Sequence, residues 1–184
     1  MLTIVLMATN TETCRMVSSM VVASYALLIE VGSLMTIPRR NGGSWVLERG
    51  YYTYVGSANI GRPYLRVLRH LMKDKKVRWH VDVLTSSPVV SSILAVLAYG
   101  VSEELLYLAL ASQALFVPVA RGFGASDSKN HITHLFKVDV SDSLEAAKVL
   151  LGLVLRMCPQ QVEIVVGAVP SLRPSSTFPK QISL

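Results

Sequence analysis

Between Gly50 and Asp82 the chain reads GYYTYVGSANIGRPYLRVLRHLMKDKKVRWHVD: a tyrosine-rich run, a Gly-Ser turn, a basic segment and a Trp-His-x-Asp tetrapeptide. In the basic segment Arg62, Arg66, Arg69, Lys73, Lys75, Lys76 and Arg78 face a single acid, Asp74. Cations gathered on one helix suit a polyanion, because each phosphate they neutralise releases counterions and their field draws the partner in from a distance. A solvated helix face accounts for the same charges. His80 and Asp82 are two apart, so a strand would put them on one face and a helix would turn them apart by about 200°. Glu103 and Glu104 follow Ser102, where they complement the positive end of a helix capped by that serine. His131-x-x-His134 together with His80 offers three imidazoles to a zinc ion, but no cysteine joins them.

Hydrophobic residues make up 51% of the 184 and charged residues 16%, which excludes a disordered chain and bounds the protein to one domain with an apolar core. The net charge of +6 and pI near 9.5 come largely from the cluster above. Cys14 and Cys158 are the only cysteines, far apart and without metal-ligand spacing, as expected of a reduced, cytoplasmic setting. No basic segment precedes the N-terminal apolar run, and Thr-Asn-Thr-Glu-Thr interrupts it, so no export signal is read. The apolar region from Pro88 to Val119 is broken by Gly100 and the two glutamates, short of a membrane span.

Patterning predicts the elements that must carry these residues. YALLIEV (25–31) and YYTYVGSA (51–58) read as strands, with SLMTIP expected beside the first and RRNGGS turning back through WVLERG into the second. Arg62 or Pro63 opens a helix with Leu65, Leu68, Leu71, Val67 and Met72 on its apolar face and Arg66, Arg69 and Lys73 outward. WHVDVLTSS reads as a short helix or turn, VVSSILAVLAYG as a third strand, EELLYLALASQAL as a helix, ITHLFKVDV as a strand, LEAAKVLLGLVLRM as a helix capped by Asp142 or Ser143, and VEIVVGAV as a strand. TIVLMA is a strand or an extension. The fold class is α/β in the α+β sense, a small, mainly antiparallel sheet flanked by helices.

Taken in order, these pieces form a constellation. Ala23-Ser24-Tyr25, Tyr54-Val55-Gly56-Ser57-Ala58, Arg66-Val67-Leu68-Arg69-His70, Trp79-His80-Val81-Asp82, Gly122-Phe123-Gly124-Ala125-Ser126-Asp127 and Thr133-His134-Leu135-Phe136 resemble the motifs of the GIY-YIG nuclease superfamily, specifically its domain-of-unknown-function 123 group, found alone or joined to endonuclease III in prokaryotes. The resemblance covers about residues 23–138, leaving 1–22 as an N-terminal extension, 139–170 as a helix-strand extension and 171–184 as a loose tail. Two departures stand out. Ala23 replaces the glycine of the first element, and the loop Asp127-Ser-Lys-Asn-His lacks a cysteine pair often found there.

The resemblance implies an endonuclease that hydrolyses DNA phosphodiester bonds with one Mg²⁺ or Mn²⁺ ion, acting in DNA repair on branched or damaged DNA and beside a repair enzyme, with no membrane partner. Tyr25 takes the place of the general base or water-positioning group, with Tyr54 beside it. A phenol of pKa near 10 needs a cation close by for that task, and Arg66 is the candidate, holding the scissile phosphate as well. His70 contacts phosphate or water, and His80 helps line the site or only fixes the fold, with Asp82 orienting a histidine. Glu104, preferred to Glu103, is the metal ligand, a hard oxygen suited to Mg²⁺. Arg62, Arg69, Lys73, Lys75, Lys76 and Arg78 bind the nucleic acid. Two other readings stay open: a non-catalytic nucleic-acid-binding accessory module, and a structural or partner-binding domain.

Overall fold

The computed structural model describes residues 5–9, 22–39, 41–126, 128, 130–157 and 159–167. The expected loose tail, both cysteines and Asp127 lie outside them. In chain order the elements are β1 (Val5–Thr9), β2 (Ala23–Val31), β3 (Met35–Pro38), β4 (Ser44–Leu47), β5 (Gly50–Ser57), α1 (Pro63–Leu71), α2 (His80–Ser86), β6 (Val90–Tyr99), α3 (Glu103–Ala111), β7 (Phe116–Pro118), β8 (Leu135–Val138), α4 (Ser143–Arg156) and β9 (Gln161–Val166). Seven strands form one sheet in the order β1-β9-β6-β2-β5-β8-β7, every pairing antiparallel, and β3 and β4 form a separate pair.

β2 is the middle strand, and its nearly unbroken apolar run follows from cover on both faces. Tyr25, Leu27 and Ile29 point into a core shared with Val67 of α1, Val81 and Leu84 of α2, and Ile37, Trp45 and Leu47 of the β3–β4 hairpin. Ala26 and Leu28 point the other way, onto Leu106 and Leu110 of α3 and Leu150 and Val154 of α4. Full burial of each leucine is worth about 1.5–3 kcal/mol, so both faces contribute to holding the sheet. Ser102 accepts a hydrogen bond from the Leu105 N–H at 3.2 Å, and Asp142 caps α4 through the Glu145 N–H at 2.8 Å.

Three expectations are corrected. β3 pairs with β4 alone, while β5 takes the place beside β2 expected for SLMTIP. The inward face of α1 is Pro63, Val67 and His70, with Leu65 46% exposed and Met72 49% exposed; the bonds His70 makes inside the molecule set the helix rotation. The helix expected over EELLYLALASQAL stops at Ala111, and its last residues lead into β7. β9 lies between β1 and β6 and pairs with both.

Candidate active site

A cleft of about 190 Å³ opens where β2 begins and β5 ends. In the antiparallel register Tyr25 stands opposite Gly56 and Leu27 opposite Tyr54, so both tyrosines project from the same face, their ring centroids 6.4 Å apart. Two glycines make room for them. A Cβ on Gly56 would fall 2.4 Å from the Tyr25 ring, and one on Gly124, whose φ is +73°, would fall 2.8 Å from the Tyr54 ring. Gly56 thus lets a phenol lie across the neighbouring strand, and the Gly-Phe-Gly loop closes over the second phenol. Trp45 braces that loop, packing on Phe123 at 5.1 Å and donating its indole N–H to the Arg121 carbonyl at 2.9 Å.

Behind Tyr25 runs a buried polar row. Its hydroxyl lies 2.9 Å from Nε2 of His70, and Nδ1 of His70 lies 3.2 Å from Oδ1 of Asp82. Asp82 is fully buried and its other oxygen accepts from the Arg69 guanidinium at 2.8 Å, the Arg78 N–H at 2.9 Å and the Trp79 N–H at 3.2 Å. Burial pushes the Asp82 carboxyl up, but these donors, Arg78 and Arg69 foremost, outweigh it and hold the group below the usual range. Burial lowers His70 from 6.5 to about 4 against the pull of the Asp82 carboxylate. His70 is therefore a neutral imidazole at neutral pH. An ionised Asp82 accepts only, so Nδ1 carries the proton and Nε2 accepts the Tyr25 hydroxyl. Burial, with Tyr54 adding to it, raises the Tyr25 pKa well above 10, and Arg66 only partly offsets this. Arg66 therefore does not make Tyr25 a standing phenolate; the proton route from Tyr25 leads to His70.

Arg66 forms part of the cleft wall, one N–H donated to the Ser57 carbonyl at 2.7 Å and the rest of its fork available to an anion. Trp79, 40% exposed and also on the wall, lies under two guanidinium groups, those of Arg66 at 5.2 Å and Arg69 at 5.1 Å.

Across the cleft stands a second polar row. Oε1 of Glu103 lies 3.3 Å from Nδ1 of His134, Nε2 of His134 lies 2.8 Å from Nδ1 of His131, and Nε2 of His131 lies 2.5 Å from Oε2 of Glu104. Both imidazoles are held in place. Tyr107 stacks on His131 at 3.8 Å between centroids, and the backbone of His134 is tied to Phe123 and to Val55 of β5. Where Glu104 accepts the Nε2–H of His131, Nδ1 of that ring accepts the Nε2–H of His134, a proton that a cation held between the rings would replace. Glu103, His131 and His134 each bring a ligand atom within 4.8 Å of the other two.

The cleft thus brings together Tyr25, Tyr54, Arg66 and His70 from the predicted set, and adds Glu103, Trp79 and His134. Glu104 turns away to His131 and is 52% exposed; Glu103 is the carboxylate on the cleft. His80 packs 5.7 Å from both Trp45 and Phe123, and helix α2 splits it from Asp82, which orients His70 instead. Of the six predicted nucleic-acid contacts, three are engaged within the chain. Arg69 holds Asp82 and the Lys76 carbonyl, Lys73 bonds the carbonyls of Thr85, Ser87 and Val90, and Lys75 bonds those of His70 and Met72 and the Thr85 hydroxyl. Burial lowers Lys75 to about 8. Arg62, Lys76 and Arg78 are exposed. Sequence reasoning weighed Glu103 as the metal ligand but ranked Glu104 above it, since nothing local records the rotation of α3.

Fold and site together define an antiparallel α+β domain with a polar cleft at its strand ends, lined by tyrosine, arginine, histidine and glutamate. The chain belongs to the family described as Domain of unknown function DUF123, whose sequence model matches residues 24–154 and so takes in every cleft residue named above. No curated protein and no solved structure matches the chain. Among the described residues, no helix is long and apolar enough to cross a membrane.

Proposed function

We propose that the protein is an endonuclease of the GIY-YIG type that hydrolyses DNA phosphodiester bonds with the help of a divalent ion, in a cytoplasmic repair setting. One observation carries the reading: Tyr25 from β2, Tyr54 from β5, Arg66 and His70 from α1 and Glu103 from α3 meet in one cleft, although 78 positions separate the first from the last. Arg66, on the cleft wall, grips a phosphate oxygen and stabilises the charge that builds as a water attacks. The water's proton passes to the Tyr25 oxygen while the Tyr25 proton passes to Nε2 of His70, and Asp82 stabilises the imidazolium that forms. This relay needs no phenolate at rest, which fits the raised pKa of Tyr25. The Glu103 carboxylate fits Mg²⁺ or Mn²⁺, and the imidazoles beside it favour Mn²⁺. Bound there, the ion supplies charge neutralisation at the leaving oxygen.

Purified protein is expected to nick plasmid or branched DNA with Mn²⁺ or Mg²⁺, and Arg66→Ala or Tyr25→Phe to slow nicking by about 10²–10⁴-fold. Equal cutting by an Arg66→Ala, Glu103→Ala double variant would sink the assignment. A non-catalytic accessory module that binds nucleic acid, serving a repair enzyme, is favoured instead if binding weakens with salt and no conditions give cleavage. The exposed Arg62, Lys76 and Arg78 support that second reading.

A further inference from the structure

Two carboxylates and two imidazoles stand in one unbroken row along the mouth of the cleft, and everything around them fixes their orientation. Glu104 holds the Nε2 side of His131, Tyr107 stacks on its ring, and the His134 side chain is only 5% exposed. A carboxylate behind a ligating histidine is the usual device for setting its tautomer and ring angle, because it binds the N–H that points away from the metal. The inner nitrogens of the two rings face each other at 2.8 Å, close to the separation at which two imidazoles share an ion at about 2.0–2.1 Å from each. Opening that gap by about half an ångström admits the ion. Glu103 then completes a two-histidine, one-carboxylate set within reach of a single cation.

We infer that Glu103, His131 and His134 form a binding site for one borderline divalent transition-metal ion, with Glu104 as the positioning residue behind His131. The donor set decides the ion class. Imidazole suits zinc, manganese and cobalt, while Mg²⁺ prefers oxygen ligands and keeps its waters. The site deepens the nuclease reading by naming a different ion from the Mg²⁺ that a lone glutamate would select. It does not depend on cleavage, because binding is read without DNA.

The experiment is a metal titration of the full chain with Zn²⁺, Mn²⁺ and Mg²⁺, each alone and in competition, with a Cys14→Ser, Cys158→Ser background to remove thiol binding. One equivalent of Zn²⁺ is expected to bind at least about 100-fold more tightly than Mg²⁺. A His131→Ala, His134→Ala variant should abolish that preference, and Glu104→Gln should weaken Zn²⁺ by about 10- to 100-fold with no change of stoichiometry. Pulsed electron paramagnetic resonance on the Mn²⁺-loaded wild-type chain reads the ligands with no substitution in the row, and should show coupling to two imidazole nitrogens. Absence of that coupling, Zn²⁺ uptake indifferent to both histidines, or Mg²⁺ displacing Zn²⁺ at equal concentration each overturns the proposal. Tight Zn²⁺ uptake with no DNA nicking supports this site and counts against the nuclease; Mg²⁺-dependent nicking with no histidine coupling does the reverse.

Discussion

The two walls of the cleft are built from the same residue types to opposite ends. On one wall a single carboxylate, Asp82, is surrounded by donors and leaves His70 neutral; on the other, two carboxylates flank two imidazoles. The first row is sealed at its imidazole and carboxylate, 1% and 0% exposed, and suits the passing of a proton. The second is open to solvent at its carboxylates, with Glu103 27% and Glu104 52% exposed, so an ion can reach it. Histidine beside carboxylate is thus not one motif but two, and the burial of the carboxylate separates them.

Substitutions in the sealed row should have the largest effects. Asp82→Ala leaves the Arg69 guanidinium and two backbone N–H groups facing an empty site, and a loss of about 3–5 kcal/mol in urea unfolding is expected. A loss under about 1 kcal/mol would mean that the two walls are closer in character than their burial implies. Gly56→Ala comes next. Its Cβ has nowhere to go but into the Tyr25 ring, so a destabilisation of about 1–3 kcal/mol is expected, with the tyrosine displaced from the cleft in the variant's structure.

A pH series separates the rows further. His70 binds its proton at about 4 in the folded chain and near 6.5 in the unfolded one, so between those values the unfolded chain holds more protons and stability rises with pH. The contribution is complete above about 6.5 and lost as pH falls towards 4. Unfolding free energies at several pH values in that window should show this slope, and His70→Gln should flatten it. Smallest of all is Glu104→Gln, at 52% exposure a change of about 0–1 kcal/mol in stability without metal. A larger change there would show that the open row is part of the scaffold.

The strands and helices that carry the motifs were legible because their signals are local: an apolar run closed by glycine, a proline at a helix start, a serine before two glutamates. What stayed hidden depends on residues far away. His70 is inward because Tyr25, 45 positions back, and Asp82, 12 ahead, each hold one of its nitrogens, and no periodicity in α1 records this. Neighbours on a helix point about 100° apart, so the choice between Glu103 and Glu104 rests on the rotation of α3, which Leu106 and Leu110 set by packing. The basic segment was legible as charge but not as wiring, since Lys73 and Lys75 find their carbonyls only once α2 has folded back against α1. β7 spans three residues, too few for a pattern.

The place of β9 between β1 and β6 also sets an order of assembly. During synthesis residues 161–166 leave the ribosome after the other described strands, yet they cover the edge of β6, the strand that runs beside Tyr25 and into the start of α3. Until they arrive, that edge presents a row of unpaired backbone groups to any passing chain, and β1 has no partner. The sheet thus waits on the last of its described strands.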